Sequence, residues 1–174
     1  MKRLLLAAAA VLVLGTGVAR AGVAMKRGLA IRDCIFAAAA AYRLPPAVLL
    51  ILLDVEGGSL GHVSLNTNGT VDIGPMQVNE IWLPQLEAHW KASRAATYAA
   101  LRDDFCANVE GGAWILRQAI DEAHGDFWEG VGLYHSHDPG DKADYLRKVL
   151  RLALQLEAQA AKSRRTATTL ASKD

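Results

Sequence analysis

The 174 residues hold little cysteine and almost no net charge, and each scarcity excludes a class of protein. Two cysteines are too few for a cysteine-rich disulfide scaffold or a four-cysteine zinc site. Nineteen basic and 18 acidic residues give a formal net charge of +1, so no broad electrostatic attraction to nucleic acid is expected. The main apolar run, Leu4 to Leu14, has 11 residues and is short for a membrane span.

That apolar run has the flanks of a secretory signal. It follows the basic start Met1 to Arg3 and precedes Ala19-Arg20-Ala21, which has the small-x-small form of a signal-peptidase site. We therefore predict a signal peptide over residues 1–21, cleavage before Gly22 and a periplasmic location. The alternative is an uncleaved N-terminal anchor.

The cysteines, the length and the tail then define the mature chain. Export to an oxidising compartment predicts a disulfide between Cys34 and Cys106. About 150 residues suit one domain, which we place at residues 22–161. Residues 162–174 combine basic side chains with Thr, Ala and Ser, a composition that predicts a disordered, solvated tail. The alternative is that this tail contacts a partner or an anionic wall surface.

The apolar pattern predicts a mainly α fold, because helical spacing recurs and no strand-like alternation persists. The segment from Gly57 to Gly74 differs, since it is rich in Gly and Asn and predicts a long loop or a small β-hairpin. The predicted helices span residues 31–42, 46–56, 77–89, 93–101, 105–123, 127–134 and 141–161.

Glu56 is the strongest catalytic candidate in the chain. Pro45-Pro46 is suited to open a helix and Gly57-Gly58 to end it, so the acid lies at the helix end. Helical spacing places its carboxyl group on one face with Leu49, Leu52 and Leu53. Apolar neighbours remove water and raise a carboxyl pKa, as a general acid near neutral pH requires. A solvated glutamate at a helix end is the alternative.

Several blocks in one order resemble the catalytic domain of lytic transglycosylases, above all the small members that accompany secretion, conjugation and pilus machines. The resemblance covers about Cys34 to Leu152. The blocks that carry it are Tyr42 to Pro46, the apolar helix that ends in Glu56, Asp72 to Asn79, Asn108 to Ala113, and Tyr134 before Tyr145.

The resemblance implies a lysozyme-like, mostly helical fold that cleaves the β-1,4 bond between N-acetylmuramic acid and N-acetylglucosamine in peptidoglycan. Glu56 matches the single catalytic glutamate of the family, which protonates the glycosidic oxygen and then accepts a proton from the muramyl 6-hydroxyl. A 1,6-anhydro ring closes and no water is consumed. No cofactor or metal is implied. The expected partners are peptidoglycan strands and subunits of an envelope-spanning machine, and we expect a monomer.

The resemblance also implies a set of substrate contacts. Gly74, Met76 and Gln77 match a Gly-x-Met-Gln block in which glycine permits close approach and the glutamine amide bonds the sugar. Met76 also suits the core, and Asn79 also suits a helix cap. Tyr134 is expected to orient the acid or a substrate group, and Tyr145 to line the groove. The remaining expected contacts are Ser59, Asn68 and His135.

Two departures from the commoner family form bear on these contacts. Gly57 stands where many members have Ser directly after the acid, so any supporting hydroxyl has to come from Ser59 or elsewhere. Residues 134–137 read Tyr-His-Ser-His where many members read Tyr-Asn-Ala-Gly. The two histidines and Asp138 lack a clearly placed further ligand, so we expect His135 by the groove, His137 solvated and no metal site.

Two other functions stay open from the sequence. Lysozyme-type hydrolysis needs a second carboxylate, for which Asp54, Asp72 and Asp138 are candidates. Helical spacing turns Asp54 away from Glu56, and Asp72 suits a brace for the Gly74 turn. A catalytically weak wall-binding scaffold of a secretion or conjugation system is the other alternative.

Overall fold

The computed structural model describes residues 30–171, so the predicted signal peptide lies outside the described residues. Seven α-helices occur in this part of the chain. Their bounds are Ala30–Ala41 (α1), Pro46–Glu56 (α2), Leu83–Trp90 (α3), Arg94–Asp103 (α4), Phe105–Glu122 (α5), Phe127–His135 (α6) and Pro139–Ala171 (α7).

A small antiparallel sheet follows α2, which confirms the predicted fold class. Its strands are Val63–Leu65 (β1), Val71–Ile73 (β2) and Val78–Asn79 (β3), in the order β1-β2-β3. The pairs Val63 with Ile73 and Asp72 with Asn79 set the register. The Gly- and Asn-rich segment therefore forms the predicted hairpin and continues into a third strand.

The predicted helix over residues 77–89 is wrong in its first half. Val78–Asn79 pairs with β2, a 3-10 helix covers Glu80–Trp82, and α3 begins only at Leu83. Gln77 has a φ of 49°, which no α-helix contains. The apolar spacing of this segment matches a helix, but the turn at residues 74–77 folds Val78 and Asn79 back onto β2, the strand just before them in the chain.

Buried side chains of α2 and α5 form much of the core. Leu49 and Leu52 of α2 are fully buried, as are Val109 and Leu116 of α5. α5 packs against α4 and α6, while α7 packs against α6 and α2. This arrangement brings the C-terminal end of α2 next to α6, α7 and the sheet.

α7 is longer than the predicted helix 141–161 and continues into the segment predicted to be disordered. Residues 162–166 are helical and, like most of α7 after Ala153, exposed. Residues 141–171 contain no Gly or Pro and are rich in Ala, Leu, Gln, Lys and Arg, which have high helix propensity. Local propensity therefore continues the helix beyond the last core contacts.

A disulfide joins α1 to α5. Cys34 and Cys106 are bonded, with their Cα atoms 5.1 Å apart, as the sequence predicts. Among residues 30–171 no single helix is long and apolar enough to cross a membrane, although α1 and α2 taken together, bent by 118°, reach that hydropathy.

Candidate active site

The C-terminal end of α2 positions Glu56 in the site. Gly57 has a φ of 63°, and its backbone N–H donates to the carbonyl of Leu53. A left-handed residue that closes this bond stops the helix, and glycine reaches that conformation without strain. The acid is therefore the last helical residue, with the buried Leu49 and Leu52 before it.

A cavity of about 510 Å³ opens at this helix end. Glu56, Asp72 and Asp141 line it, and the hairpin turn, the 3-10 helix and the end of α6 complete the walls. Residues of these elements that line the cavity include Asn66, Thr67, Asn68, Gln77, Asn79, Ile81, Trp82, Tyr134, His135 and His137. The lining is mostly polar, and its apolar members include Ile81 and Trp82.

The carboxyl group of Glu56 receives one hydrogen bond from a described residue. The Tyr145 hydroxyl donates to Glu56 Oε1 at 2.5 Å. The pKa of Glu56 is raised to about 7: burial is the main cause and the nearby Asp72 charge adds to it, while the Tyr145 hydrogen bond and Lys148 oppose the shift. Glu56 therefore holds its proton over the pH range in which a general acid is useful.

The two tyrosines exchange the roles that the sequence favours for them. Tyr145 contacts the acid, and its side chain is almost fully buried. Tyr134 instead donates its hydroxyl to the backbone oxygen of Met76 at 2.8 Å. Burial, followed by the charges of Glu56 and Asp72, raises the pKa of Tyr134 well above its ordinary value, so this hydroxyl stays a donor.

Asn108 fixes the turn that follows β2, and sequence reasoning missed this role. It is fully buried; its Oδ1 accepts from the Met76 N–H at 2.7 Å, and its Nδ2 donates to the carbonyls of Ile73 and Leu101 at 2.9 Å each. Gly74 has a φ of 69°, and a Cβ there would overlap the Asn108 side chain. A polar residue on the core face of the predicted helix 105–123 is the sequence signal for such a brace.

Met76 and Gln77 complete this turn in different ways. The Met76 side chain is fully buried in the core, so it does not face the cavity, and only its backbone supports Tyr134. Gln77 lines the cavity, and its Nε2 donates to the Gly74 carbonyl at 2.8 Å. A Cβ on Gly58 would come within 2.6 Å of that Nε2, so the second glycine after the acid gives the turn room.

The expected sugar-binding amides are held by the sheet. Asn79 Nδ2 donates to Asp72 Oδ1 at 2.7 Å and to Thr70 Oγ1 at 3.0 Å, while its Oδ1 caps the 3-10 helix at Ile81 N. Asn68 Oδ1 accepts from the backbone and hydroxyl of Thr70. Both side chains line the cavity from fixed positions.

Ser59 and the two histidines show how far the remaining predictions hold. Ser59 is exposed and does not line the cavity. His135 lines it and stacks on the Tyr145 ring, whereas His137 Nε2 pairs with Glu122 at 2.8 Å. Within residues 30–171, no three His, Cys, Asp or Glu side chains are grouped to hold a metal ion.

The chain is similar to two curated bacterial proteins. It is 28% identical to Protein IpgF of Shigella flexneri over 134 aligned residues. The aligned region covers 71% of this chain and 83% of that protein. It is 25% identical over 140 residues to Invasion protein IagB of Salmonella typhimurium (strain SL1344), which covers 76% of this chain and 82% of that protein. No model of a protein family matches the chain.

Proposed function

We propose that the chain is a peptidoglycan lytic transglycosylase, which cleaves the β-1,4 bond between N-acetylmuramic acid and N-acetylglucosamine. One observation carries the proposal: a single glutamate, Glu56, lies in a mostly polar cavity with its pKa raised to about 7. The motif resemblance supports it independently, because the family's catalytic glutamate matches the same residue.

The proposed reaction uses Glu56 twice. The protonated carboxyl group donates its proton to the glycosidic oxygen as the bond from C1 of the muramyl residue breaks. The resulting carboxylate then takes the proton of the muramyl 6-hydroxyl, whose oxygen attacks C1 and closes the 1,6-anhydro ring. Glu56 ends the cycle protonated, so a pKa near neutrality suits both halves.

The hydrogen bond from Tyr145 serves the second half of this cycle. It stabilises the carboxylate that forms after proton donation and leaves the second carboxyl oxygen for the substrate. A donor whose own pKa is raised, as burial and the Glu56 charge raise that of Tyr145, keeps its proton throughout. Tyr145 therefore orients the acid without competing for its role.

The cavity walls suit a glycan strand. The Asn68 amide offers its Nδ2 donors to sugar hydroxyl and N-acetyl groups, and the Asn79 Oδ1, which accepts one bond from Ile81, can accept another from a sugar hydroxyl. Trp82 and Ile81 offer apolar surface to the less polar faces of sugar rings. These contacts position the strand and leave the chemistry to Glu56.

Hydrolysis is the second candidate reaction, and Asp72 favours it. This carboxylate lines the same cavity as Glu56 and is braced by Asn79 at 2.7 Å. A hydrolase requires such a second carboxylate to stabilise or trap the glycosyl cation before water attacks. In the transglycosylase reaction, Asp72 instead supports the cationic transition state by its charge.

The products of cleavage test the proposal. The mature chain, residues 22–174 with its cysteines oxidised, is incubated with purified peptidoglycan, and the released muropeptides are identified by mass. Products lighter by one water than hydrolysed ones, absent with Glu56→Gln, support the transglycosylase. Hydrated reducing ends establish the hydrolase, and a folded protein that releases nothing overturns both.

We extend the proposal to the setting of the enzyme: it is exported and opens the wall locally for a secretion, conjugation or pilus machine. The disulfide between Cys34 and Cys106 suits an oxidising compartment, and one relative is named an invasion protein. Glu56→Gln, assayed in the machine and on the wall separately, tests this setting. A machine that works fully without wall cleavage overturns the enzymatic role and favours a scaffold.

A further inference from the structure

His135 meets the Tyr145 side chain ring on ring. The two ring centroids are 4.3 Å apart and the planes differ by 5°, so the imidazole covers one face of the phenol. No residue within the described part of the chain hydrogen-bonds the His135 ring. The described contact of the imidazole is thus its stack on the Tyr145 ring, and the hydroxyl of this tyrosine donates to Glu56 at 2.5 Å.

The stack opposes one particular motion of the tyrosine. A ring flip leaves the Tyr145 oxygen on its axis, but a shift of the ring perpendicular to its plane moves that oxygen away from Glu56 Oε1. His135 occupies the space into which such a shift would go on the cavity side, because it also lines the cavity. Hydrogen bonds weaken steeply as they lengthen or bend, so a small displacement matters.

We propose that His135 is a positioning residue: its stacked imidazole keeps the Tyr145 hydroxyl on the Glu56 carboxyl group. The proposal rests on the proposed function for its effect on catalysis. The arrangement itself, His135 on Tyr145 on Glu56, belongs to the free protein and can be measured without substrate.

The charge of His135 is part of this arrangement. Burial lowers its pKa below the ordinary value, and Lys148 lowers it further, while Asp141 of α7 and Asp72 of β2 act in the opposite direction. The ring is therefore neutral near neutral pH. A neutral ring fills the space beside Tyr145 and adds no positive charge that would lower the pKa of Glu56.

The first test follows the pKa of Glu56 by ¹³C NMR of its carboxyl group in the mature, oxidised chain. Tyr145→Phe removes the donor and raises this pKa above about 7, because the lost bond stabilised the carboxylate. His135→Ala is expected to raise it in the same direction. The double variant is expected to go no further than Tyr145→Phe, since both changes break one interaction.

Other outcomes of this titration overturn the proposal. A lower pKa in His135→Ala means that the imidazole acts by excluding water, and a shift that adds fully to that of Tyr145→Phe means that it acts independently. His135→Phe keeps a flat ring in the stack and is expected to keep the pKa near 7. His62→Ala is the control, because this histidine is exposed, does not line the cavity and is expected to leave the pKa unchanged.

Kinetics on peptidoglycan fragments give the second test. His135→Ala is expected to lower kcat by about two- to tenfold with KM unchanged, the worth of one aromatic contact, and His135→Phe to restore it. A raised KM that Phe does not restore identifies a substrate contact and overturns the positioning role. If the unaltered protein cleaves nothing, the proposed function fails, and the NMR titration still decides the coupling.

Discussion

Two glutamates of this protein hold hydrogen bonds to a tyrosine, and their surroundings differ. Glu56 receives one donor, Tyr145, and otherwise faces the cavity. Glu110 of α5 receives three: the hydroxyl of Tyr42, His89 Nε2 at 3.1 Å and Trp90 Nε1 at 2.5 Å. The same side chain thus lies at the centre of two different kinds of cluster.

The number of hydrogen-bond donors around each carboxyl group determines whether it is available for chemistry. These three partners occupy both oxygens of Glu110 and connect the turn after α1 with α3 and α5, so this side chain fits a structural role. Glu56 keeps one oxygen without a described donor, and burial favours its protonated form. A catalytic acid requires a proton and an open oxygen, and Glu56 has both.

Replacing each acid by its amide gives the largest contrast. Glu56→Gln is expected to reduce muropeptide release by about a hundred- to ten-thousandfold, because the amide cannot donate the proton. Glu110→Gln is expected to keep most of the specific activity of its folded fraction. Mass spectrometry of released muropeptides at matched folded concentrations measures both, and equal losses in the two variants would refute the contrast.

The pH dependence of the free energy of unfolding provides a second test of the difference between Glu56 and Glu110. The folded pKa of Glu56 is about 7 against an ordinary 4.5, so its stabilising contribution is complete below pH 4.5 and is lost as the pH rises through 7. The gap of about 2.5 pKa units corresponds to about 3 kcal/mol. Denaturation of Glu56→Gln should therefore show a free energy of unfolding that gains about 3 kcal/mol on the unaltered protein between pH 4.5 and pH 8.

Cleavage itself should follow the same ionisation. The fraction of Glu56 that can donate a proton falls above pH 7, so kcat/KM is expected to decline about tenfold per pH unit on the alkaline side. A rate that stays level to pH 9 would show that another group supplies the proton.

Replacing Glu110, the acceptor of the second cluster, tests its structural role. Glu110→Gln places an amide N–H among three donors and is expected to lower the free energy of unfolding by about 1–3 kcal/mol. Urea denaturation at pH 7 measures the loss. Glu87→Gln is the control, because its ion pair with Arg94 is exposed and should contribute little.

A matched pair of hydroxyl deletions gives the smallest effects. Tyr42→Phe is expected to cost about 1 kcal/mol of stability and to leave the pH profile of cleavage in place. Tyr145→Phe is expected to move the alkaline limb of that profile upward by about one pH unit, because the donor it removes stabilised the Glu56 carboxylate. Identical profiles for the two variants would mean that Tyr145 does not act on the acid.

Much of the fold followed from local patterns. Pro45 and Gly57 mark the ends of α2, and the Gly- and Asn-rich segment after it forms the predicted hairpin. The failure at residues 77–82 arose because the turn that pairs Val78 with Ile73 is braced by Asn108 of α5, a side chain far from it in the sequence. The end of α7 was missed for the opposite reason, since helix propensity alone continues it.

The sequence predicted the candidate site less completely than it predicted the fold. Glu56 was identified from its apolar face, a signal contained within one helix. The exchange of roles between Tyr134 and Tyr145 depends on how α6 and α7 meet, and no spacing in the sequence encodes that distance. Asn108 was visible only as a polar residue on a core face, without the turn that it braces.

The disulfide between α1 and α5 has a consequence for the proposed export of the protein. Linking residues 72 positions apart stabilises a fold by about 4 kcal/mol in chain-entropy terms. A chain with reduced thiols lacks that contribution and is correspondingly easier to keep unfolded, as passage through a narrow translocation channel requires. Under the proposed function, oxidation after export completes the fold, and the cleavage activity matures only in the compartment that holds the wall.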